Sequence, residues 1–233
     1  MSLAANPLSI TVVGLGQMGG NMALTLQAAG FAVTGSDVFE VARARLEGLG
    51  LAVVAPNALP PSDVYLLSLP TSAHVREVIE HSPGLLTLAP KGSVIVDTST
   101  SDPAVSRELA EKVAAAGLHW LDAPVSGGPK GAASGKLGML LGGDDTTIER
   151  VMPMLEAMSA KRTHVGGPGS GHVVKLANNY LCAAHLITTA EAVAMAAKAG
   201  VDPAACLAGI NSGSGRSAIG EVNFPEWVLS ERF

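Results

Sequence analysis

Charged and aromatic residues are scarce in this chain of 233 residues. Asp, Glu, Lys and Arg make up 15% of the sequence and aromatic residues 3%, whereas charged residues are usually about a quarter of a domain. Hydrophobic residues reach 48%, so the core must be built from aliphatic side chains. The net charge of −5 provides no basic stripe, and we therefore expect no nucleic-acid partner.

Cysteine is also rare, with Cys182 and Cys206 both in Ala-rich, helix-like sequence. They read as small buried thiols in a reducing compartment, which predicts a cytoplasmic protein without disulfides. The six histidines form no ligand-spaced cluster with cysteines or acids, so no metal site is predicted. Since no signal-peptide pattern and no uninterrupted apolar run of spanning length are present, we expect no contact with a membrane.

A glycine-rich loop near the start of the chain is the clearest motif. An apolar strand is predicted over residues 8–13, and Gly14-x-Gly16-x-x-Gly19 follows it directly. A helix and a second strand ending on Asp37 complete a unit of about 30 residues that matches the dinucleotide-binding fingerprint. Such loops place a pyrophosphate against a helix N-terminus. The candidate cofactor-binding residues here are Gly14, Leu15, Gly16, Gln17, Met18 and Gly19.

The acidic residue that ends the second strand bears on the choice between NAD and NADP. The Asp37 carboxylate can accept hydrogen bonds from the ribose hydroxyls, whereas it would repel a 2′-phosphate. No arginine adjoins Asp37, although Arg43 and Arg45 lie a little downstream. The sequence therefore favours NAD over NADP.

Short apolar strands and amphipathic helices alternate up to about residue 167, which predicts a mostly parallel sheet covered on both faces. A long helical pattern, apolar on most sides, then runs from about residue 170 to 199. We therefore predict an α/β fold, with a Rossmann-type domain over residues 1–167 and part of an all-helical substrate or dimerisation domain over residues 168–233. The apolar helix needs covering partners, so a homodimer or homotetramer is expected.

Two segments outside the glycine loop could carry chemistry. Lys175 lies one turn into the long helix, and Asn179 follows on the same face. The lysine could simply extend to solvent, or it could exchange a proton with a substrate oxygen. The loop Ser126-Gly127-Gly128 could be a plain glycine turn, or its hydroxyl and successive backbone N–H groups could bind a small carboxylate.

Five motifs occur together in a particular order: the Gly-Leu-Gly-x-Met-Gly loop, Leu69-Pro70-Thr71-Ser72, Asp-Thr-Ser-Thr at 97–100, Asp-Ala-Pro-Val-Ser-Gly-Gly at 122–128, and Gly-His-Val-Val-Lys-Leu-Ala-Asn-Asn at 171–179. This set resembles the β-hydroxyacid dehydrogenase family, which includes 3-hydroxyisobutyrate dehydrogenase, tartronate semialdehyde reductase and L-threonate dehydrogenase. The resemblance implies a Rossmann-type domain joined by one long helix to a helical domain.

The resemblance also implies a role for each motif. The glycine loop and Asp37 would hold the dinucleotide, and Leu69, Pro70 and Thr100 would line its nicotinamide side. Residues 126–128 would bind the substrate carboxylate. Lys175 would be the general acid/base, with Asn179 beside it. The implied activity is NAD-dependent oxidation of a small 3-hydroxy acid to the semialdehyde, or the reverse reduction.

Two alternatives remain at this point. One is an NADP-dependent reductase of tartronate semialdehyde, and the other is a non-catalytic dinucleotide-binding protein of the same fold. Members of the family continue beyond the point where this sequence stops and carry a Lys–Asp pair there. The resemblance therefore predicts that the helical domain is C-terminally incomplete here.

Overall fold

The computed structural model describes residues 8–81 and 83–230, which form two compact units that divide between Lys175 and Leu176. The first unit alternates strands with helices. Its strands are β1 (Ser9–Val13), β2 (Ala32–Ser36), β3 (Ala52–Val54), β4 (Val64–Leu67), β5 (Val94–Asp97), β6 (His119–Asp122), β7 (Val125–Ser126), β8 (Leu137–Gly142) and β9 (Ser159–Gly166). Its helices are α1 (Gln17–Ala28), α2 (Glu40–Glu47), α3 (Ser72–Glu80), α4 (Leu85–Leu88), α5 (Pro103–Ala115), α6 (Gly128–Ala133) and α7 (Asp145–Met158).

The nine strands form one sheet in the order β3-β2-β1-β4-β5-β6-β8-β7, and β9 pairs with β8. The first six strands are parallel neighbours, whereas β8 runs antiparallel to β6 and β7. The order of the first six strands is that of a Rossmann fold, which reverses direction between β1 and β4. This arrangement confirms the predicted fold class.

Alternate residues of the central strands point to opposite faces of the sheet. In β4, Val64 and Leu66 belong to one apolar cluster, whereas Tyr65 and Leu67 belong to the other. All four side chains are buried, because helices cover both faces and a strand in that position has no solvated side. One apolar core therefore lies on each face of the sheet. The edge formed by the carboxyl ends of the strands is the place where a ligand can bind.

The long helix α8 (Ser170–Lys198) starts in the first unit and continues into the second. The second unit also contains α9 (Pro203–Asn211), begun by an Asp202 side chain that accepts from Ala205 N, and a π-helix (Ile219–Leu229). Val193, Leu207 and Phe224 form its small buried cluster.

By length and composition, α8 is apolar enough to cross a membrane, and 11% of its most apolar 18 residues are buried. A single helix of this kind is weak evidence for a span, since core helices of soluble proteins also meet the criterion. The expected absence of membrane contact stays a prediction.

Most predicted elements agree with the structure to within two residues, whereas β3, β7 and α4 were not predicted. The second helix, which the sequence pattern predicts over residues 38–48, begins at Glu40, so Val38 and Phe39 belong to a loop. The last strand, which the sequence pattern predicts only at residues 164–165, extends over Ser159–Gly166. The helix α6 lies in Gly- and Pro-containing sequence that was expected to be a loop.

Candidate active site

The glycine loop connects β1 to α1 at the point where the strand order reverses. Gly14 has a φ of +95°, and a Cβ there would lie 2.2 Å from the Ser68 carbonyl oxygen. A Cβ at Gly19 would lie 1.9 Å from the Gly14 oxygen. These two glycines therefore allow the turn to press against β4 and α1 to press against the turn. A Cβ at Gly16 would meet no described atom within 4 Å.

A cavity of about 610 Å³ lies against this loop, a volume typical of ligand sites. Seven of the predicted cofactor-binding residues line it: Gly14, Gly16, Gln17, Met18, Asp37, Leu69 and Pro70. Three others lie elsewhere, because Leu15 is buried in the core, Gly19 packs on the turn and Thr100 is exposed outside the lining. The role of these three stays a prediction.

Several lining residues were not predicted as cofactor ligands. Val38 and Phe39 stand at the end of β2 and are about 70% exposed (73% and 72%). His74, on α3, receives or donates a hydrogen bond between Nδ1 and Thr71 Oγ1, 2.8 Å apart. Two apolar residues directly after a strand-ending acid are the sequence signal that could have identified Val38 and Phe39.

Three features of the cavity fit a dinucleotide. The helix α1 begins after Gly16, which has no side chain to cap its first N–H groups, so they can bind a phosphate. Ser36 belongs to the cavity lining, and its buried Oγ has no hydrogen-bond partner among the described residues. The Asp37 carboxylate accepts from Leu15 N at 2.6 Å and Phe39 N at 2.8 Å, and its remaining lone pairs can accept from ribose hydroxyls.

The two downstream arginines bind backbone carbonyl groups close to the loop. Arg43 donates to the backbone carbonyl oxygen of Asp37 at 2.5 Å, and Arg45 donates to the backbone carbonyl oxygen of Leu15 at 2.7 Å. Both guanidinium groups thus support the loop that surrounds Asp37.

The second predicted site lies at the carboxyl end of β6. Ser126 ends β7, and Gly127 and Gly128 follow with φ of +119° and +61°. Lys175 Nζ donates a hydrogen bond to Ser126 Oγ across 2.9 Å, and only 8% of the lysine surface is exposed. The structure therefore brings together two residues that the sequence analysis selected independently. Asn179 lies four residues further along α8, in the second unit, and is exposed.

The Ser126 loop is also joined to the helix that follows the glycine loop. Thr25 Oγ1, on α1, donates to the Ala132 oxygen of α6 at 2.8 Å. Asn21 Nδ2 donates to the Gln17 oxygen at 2.8 Å and reaches the Pro129 oxygen at 3.5 Å. One helix therefore supports both the cavity and the loop that carries Ser126.

The buried carboxylate of Asp122 contacts the start of α8. Asp122 Oδ1 accepts from Gly169 N at 2.7 Å, and Oδ2 accepts from His172 N at 3.2 Å. Burial raises the pKa of the Asp122 carboxyl group, and the N–H donors of Gly169 and His172 act in the opposite direction. No group of three metal-binding side chains occurs in residues 8–81 and 83–230.

This sheet order, with a ligand cavity and an uncapped helix at the reversal point, defines a Rossmann-type dinucleotide-binding protein. Residues 9–166 match the family model described as the NAD binding domain of 6-phosphogluconate dehydrogenase. Residues 169–233 match the model described as NAD-binding of NADP-dependent 3-hydroxyisobutyrate dehydrogenase.

The chain is 33% identical over 228 residues to 2-(hydroxymethyl)glutarate dehydrogenase of Eubacterium barkeri, covering 97% of this chain and 76% of that one. It is 36% identical over 214 residues to human mitochondrial 3-hydroxyisobutyrate dehydrogenase, covering 91% and 64%. A solved structure of Mycobacterium tuberculosis 3-hydroxyisobutyrate dehydrogenase with L-serine superimposes with a TM-score of 0.85 at 34% identity, covering 92% of this chain and 73% of that one.

The chain belongs to the β-hydroxyacid dehydrogenase family of NAD(P)-dependent oxidoreductases. It spans 76% and 64% of the length of the two relatives named above. The family resemblance drawn from the five sequence motifs is thereby confirmed, as is a nicotinamide dinucleotide as the cofactor class.

Proposed function

We propose that this chain takes part in the NAD-dependent oxidation of a small 3-hydroxy acid to its semialdehyde, or in the reverse reduction. The observation that carries the proposal is the 2.9 Å hydrogen bond between the buried Lys175 ammonium and Ser126. A lysine largely shielded from water and a serine followed by two left-handed glycines make a site for an acid that also bears a hydroxyl group.

Lys175 is the proposed general acid/base. In oxidation, its neutral Nζ takes the proton of the substrate hydroxyl group, and in reduction the ammonium returns a proton to the forming hydroxyl oxygen. A nicotinamide dinucleotide held by the glycine loop and Asp37 would supply the hydride chemistry when bound. The low exposure of Lys175 keeps water from competing for its proton.

Ser126 is proposed to bind the substrate carboxylate. Because its oxygen accepts from Lys175, its hydroxyl hydrogen remains available to donate to a carboxylate oxygen. Gly127 and Gly128 both have positive φ angles, and the backbone N–H groups of this turn are proposed as further donors to the carboxylate. Asn179 is proposed to act beside the lysine, since it follows one helical turn later.

NAD is the proposed cofactor, because Asp37 lines the cavity and would repel a 2′-phosphate. Arg43 and Arg45, which could have bound that phosphate, donate instead to the Asp37 and Leu15 carbonyl groups.

The proposed substrates share a hydroxyl group two carbons from a carboxylate. The names of the relatives refer to 3-hydroxyisobutyrate and 2-(hydroxymethyl)glutarate, and L-serine is bound in the solved relative. These three compounds all contain a hydroxymethyl group on the carbon next to a carboxylate, and they differ in the third substituent. We propose this hydroxymethyl carboxylate unit as the part that Ser126 and Lys175 recognise.

The test is the rate of NAD⁺ reduction at 340 nm with these three acids, glycerate and threonate, each with NAD⁺ and with NADP⁺. We expect turnover of at least one hydroxymethyl acid with NAD⁺. Lys175→Ala should lower kcat by about 10²- to 10⁴-fold and leave NAD⁺ binding unchanged. Lys161→Ala, which removes an exposed lysine of β9, is the control. Full activity of Lys175→Ala would exclude the proposed proton transfer.

A further inference from the structure

We propose that Asp122 is the positioning residue for Lys175: its buried carboxylate fixes the first turn of α8 and thereby sets where the lysine Nζ stands relative to Ser126. The inference rests on the proposed function for its catalytic consequence. Its structural part depends only on contacts within the first unit.

The carboxylate binds the beginning of the helix at two points. Oδ1 accepts from Gly169 N at 2.7 Å, and Oδ2 accepts from His172 N at 3.2 Å. N–H groups in the first turn of a helix have no partner within the helix itself. Asp122, at the end of β6, meets one of these groups on His172 and also the N–H of Gly169, the residue that directly precedes the helix. It therefore fixes the helix start to the sheet from 47 and 50 residues away in the sequence.

The surroundings of Asp122 are shaped to admit a carboxylate. A Cβ at Gly142 would lie 2.4 Å from Oδ2, and a Cβ at Gly171 would lie 2.7 Å from the same atom. Any larger residue at these positions would displace Asp122. A buried charge is costly unless it is hydrogen-bonded, and the positive end of the α8 dipole compensates it further.

His172 extends the same attachment to two other segments. Its imidazole is fully buried, with Nδ1 2.8 Å from Ser106 Oγ and Nε2 3.1 Å from the Ser99 carbonyl oxygen. The first turn of α8 is therefore attached to the ends of β5 and β6 and to α5. A helix attached at three points has little freedom to rotate about its axis.

Lys175 follows His172 by three residues and so lies on the neighbouring part of the helix surface. Asp122 and Ser126 are four residues apart on one segment of the sheet edge. One end of that segment holds the helix, and the other end meets the lysine at 2.9 Å. A shift of about 1 Å at the helix start would therefore be passed directly to the reacting nitrogen, and a misplacement of that size costs about 100-fold in rate.

Asp122→Asn tests this role with little change in shape. The asparagine amide keeps one acceptor oxygen, but its NH₂ group faces the N–H of either Gly169 or His172. One of the two hydrogen bonds to the helix start is therefore lost. The matched control is Asp144→Asn, because Asp144 caps α7 in the same way by accepting from Thr147 N at 2.9 Å. No proposed site residue lies on α7.

The first readout is competitive acetylation of lysines by acetic anhydride, followed by mass spectrometry, in the full chain. Lys175 should label several-fold faster relative to Lys161 in Asp122→Asn than in the wild type, and at the wild-type ratio in Asp144→Asn. Equal ratios in all three proteins would overturn the proposal. Kinetically, Asp122→Asn should lower kcat about 100-fold without changing the KM for NAD⁺, a split that general destabilisation would not produce.

A measurement on the wild type covers the case in which Asp122→Asn does not fold. The amide protons of Gly169 and His172 should exchange with D₂O as slowly as those of β5, and rapid exchange of both would reject the carboxylate contacts. If the wild type turns over none of the acids, the proposed function fails. The labelling and exchange results would still decide whether Asp122 positions the lysine.

Discussion

Leu15 and Asp37 are joined by a hydrogen bond of 2.6 Å from the backbone N–H of the first residue to Oδ2 of the second. The other carboxylate oxygen accepts from Phe39 N at 2.8 Å. Asp37 therefore has a structural role that does not depend on a cofactor, because its carboxylate connects the glycine loop to the loop after β2. Its charge also faces the cavity that the ribose would enter.

Asp37→Asn separates the charge from the shape of this side chain. We expect the ratio of NADP⁺ to NAD⁺ affinity to rise by about fivefold or more, because removal of one repulsive charge near a phosphate is worth at least about 1 kcal/mol. Calorimetric titration with both dinucleotides measures the ratio. Asp63→Asn is the control, since Asp63 likewise accepts a backbone N–H, from Ser9 at 2.9 Å, but lies outside the cavity. An unchanged ratio in Asp37→Asn would show that Asp37 does not select the cofactor.

Gly16 and Gly19 should respond differently to the same methyl group. A Cβ at Gly16 would meet no described atom within 4 Å, whereas one at Gly19 would lie 1.9 Å from the Gly14 oxygen. Gly16→Ala should change the unfolding free energy by less than about 1 kcal/mol yet weaken NAD⁺ binding by about tenfold or more, because the methyl group enters the space next to the phosphates.

Gly19→Ala, in contrast, should lower stability by several kcal/mol, since backbone atoms cannot yield to a contact that short. Urea unfolding and calorimetry distinguish the two effects. If Gly16→Ala binds NAD⁺ as tightly as the wild type, the pyrophosphate does not lie next to Gly16.

Ser126→Ala removes the acceptor of the Lys175 hydrogen bond and the proposed donor to the carboxylate. The KM for the acid should rise and kcat should fall, together lowering kcat/KM by about 10- to 100-fold, as expected for a hydrogen bond to a charged group. Binding of NAD⁺ should not change. Ser134→Ala is the control in the same segment, because Ser134 Oγ donates only to backbone oxygens there. Wild-type kinetics for Ser126→Ala would remove Ser126 from the site.

A surface ion-pair cluster connects α3 to α5 and gives the fold a dependence on pH. Glu108 accepts from Arg76 at 2.6 Å and Lys112 at 2.6 Å, and these contacts lower its pKa to about 2. The pKa of Glu80 is also lowered, mainly by Lys112. Because the folded pKa lies below the ordinary 4.5, the stabilisation is complete above that pH and is lost as the pH falls toward 2.

Urea unfolding of the wild type and Glu108→Gln between pH 2 and 7 tests this dependence. The variant should be less stable at neutral pH, the difference should disappear near pH 2, and salt should reduce it. Glu111→Gln, an exposed glutamate of the same helix, should show no such trend. A difference that is constant with pH would mean that the ion pairs do not stabilise the fold.

Local patterns explain which parts of the fold could be predicted. The strands β4 and β5 are short apolar runs, and α5 begins with an Asp102 cap before Pro103, so neighbouring residues identify them. The helix α6 could not be found this way, because its sequence Gly-Pro-Lys-Gly-Ala-Ala favours a loop. Its support comes from α1, where Thr25 donates to the Ala132 oxygen across 107 residues of sequence.

The candidate site likewise contains residues that the sequence identified and residues that it did not. Lys175 and Ser126 were selected because an ammonium on an apolar helix and a Ser-Gly-Gly loop are unusual in themselves. Asp122 and His172 gave no such signal, since their contacts join residues about 50 positions apart in the sequence. The exposed pair Val38 and Phe39 was assigned to a helix, because the actual start of α2 at Glu40 depends on the neighbouring loop.

Every residue that lines the dinucleotide cavity falls between positions 13 and 83, whereas the lysine and the loop that it contacts fall between 126 and 175. The two halves of the proposed site are therefore encoded by separate stretches of the sequence. If the proposed function holds, substitutions in the later half would change which acid is accepted while the residues that line the cavity stay the same.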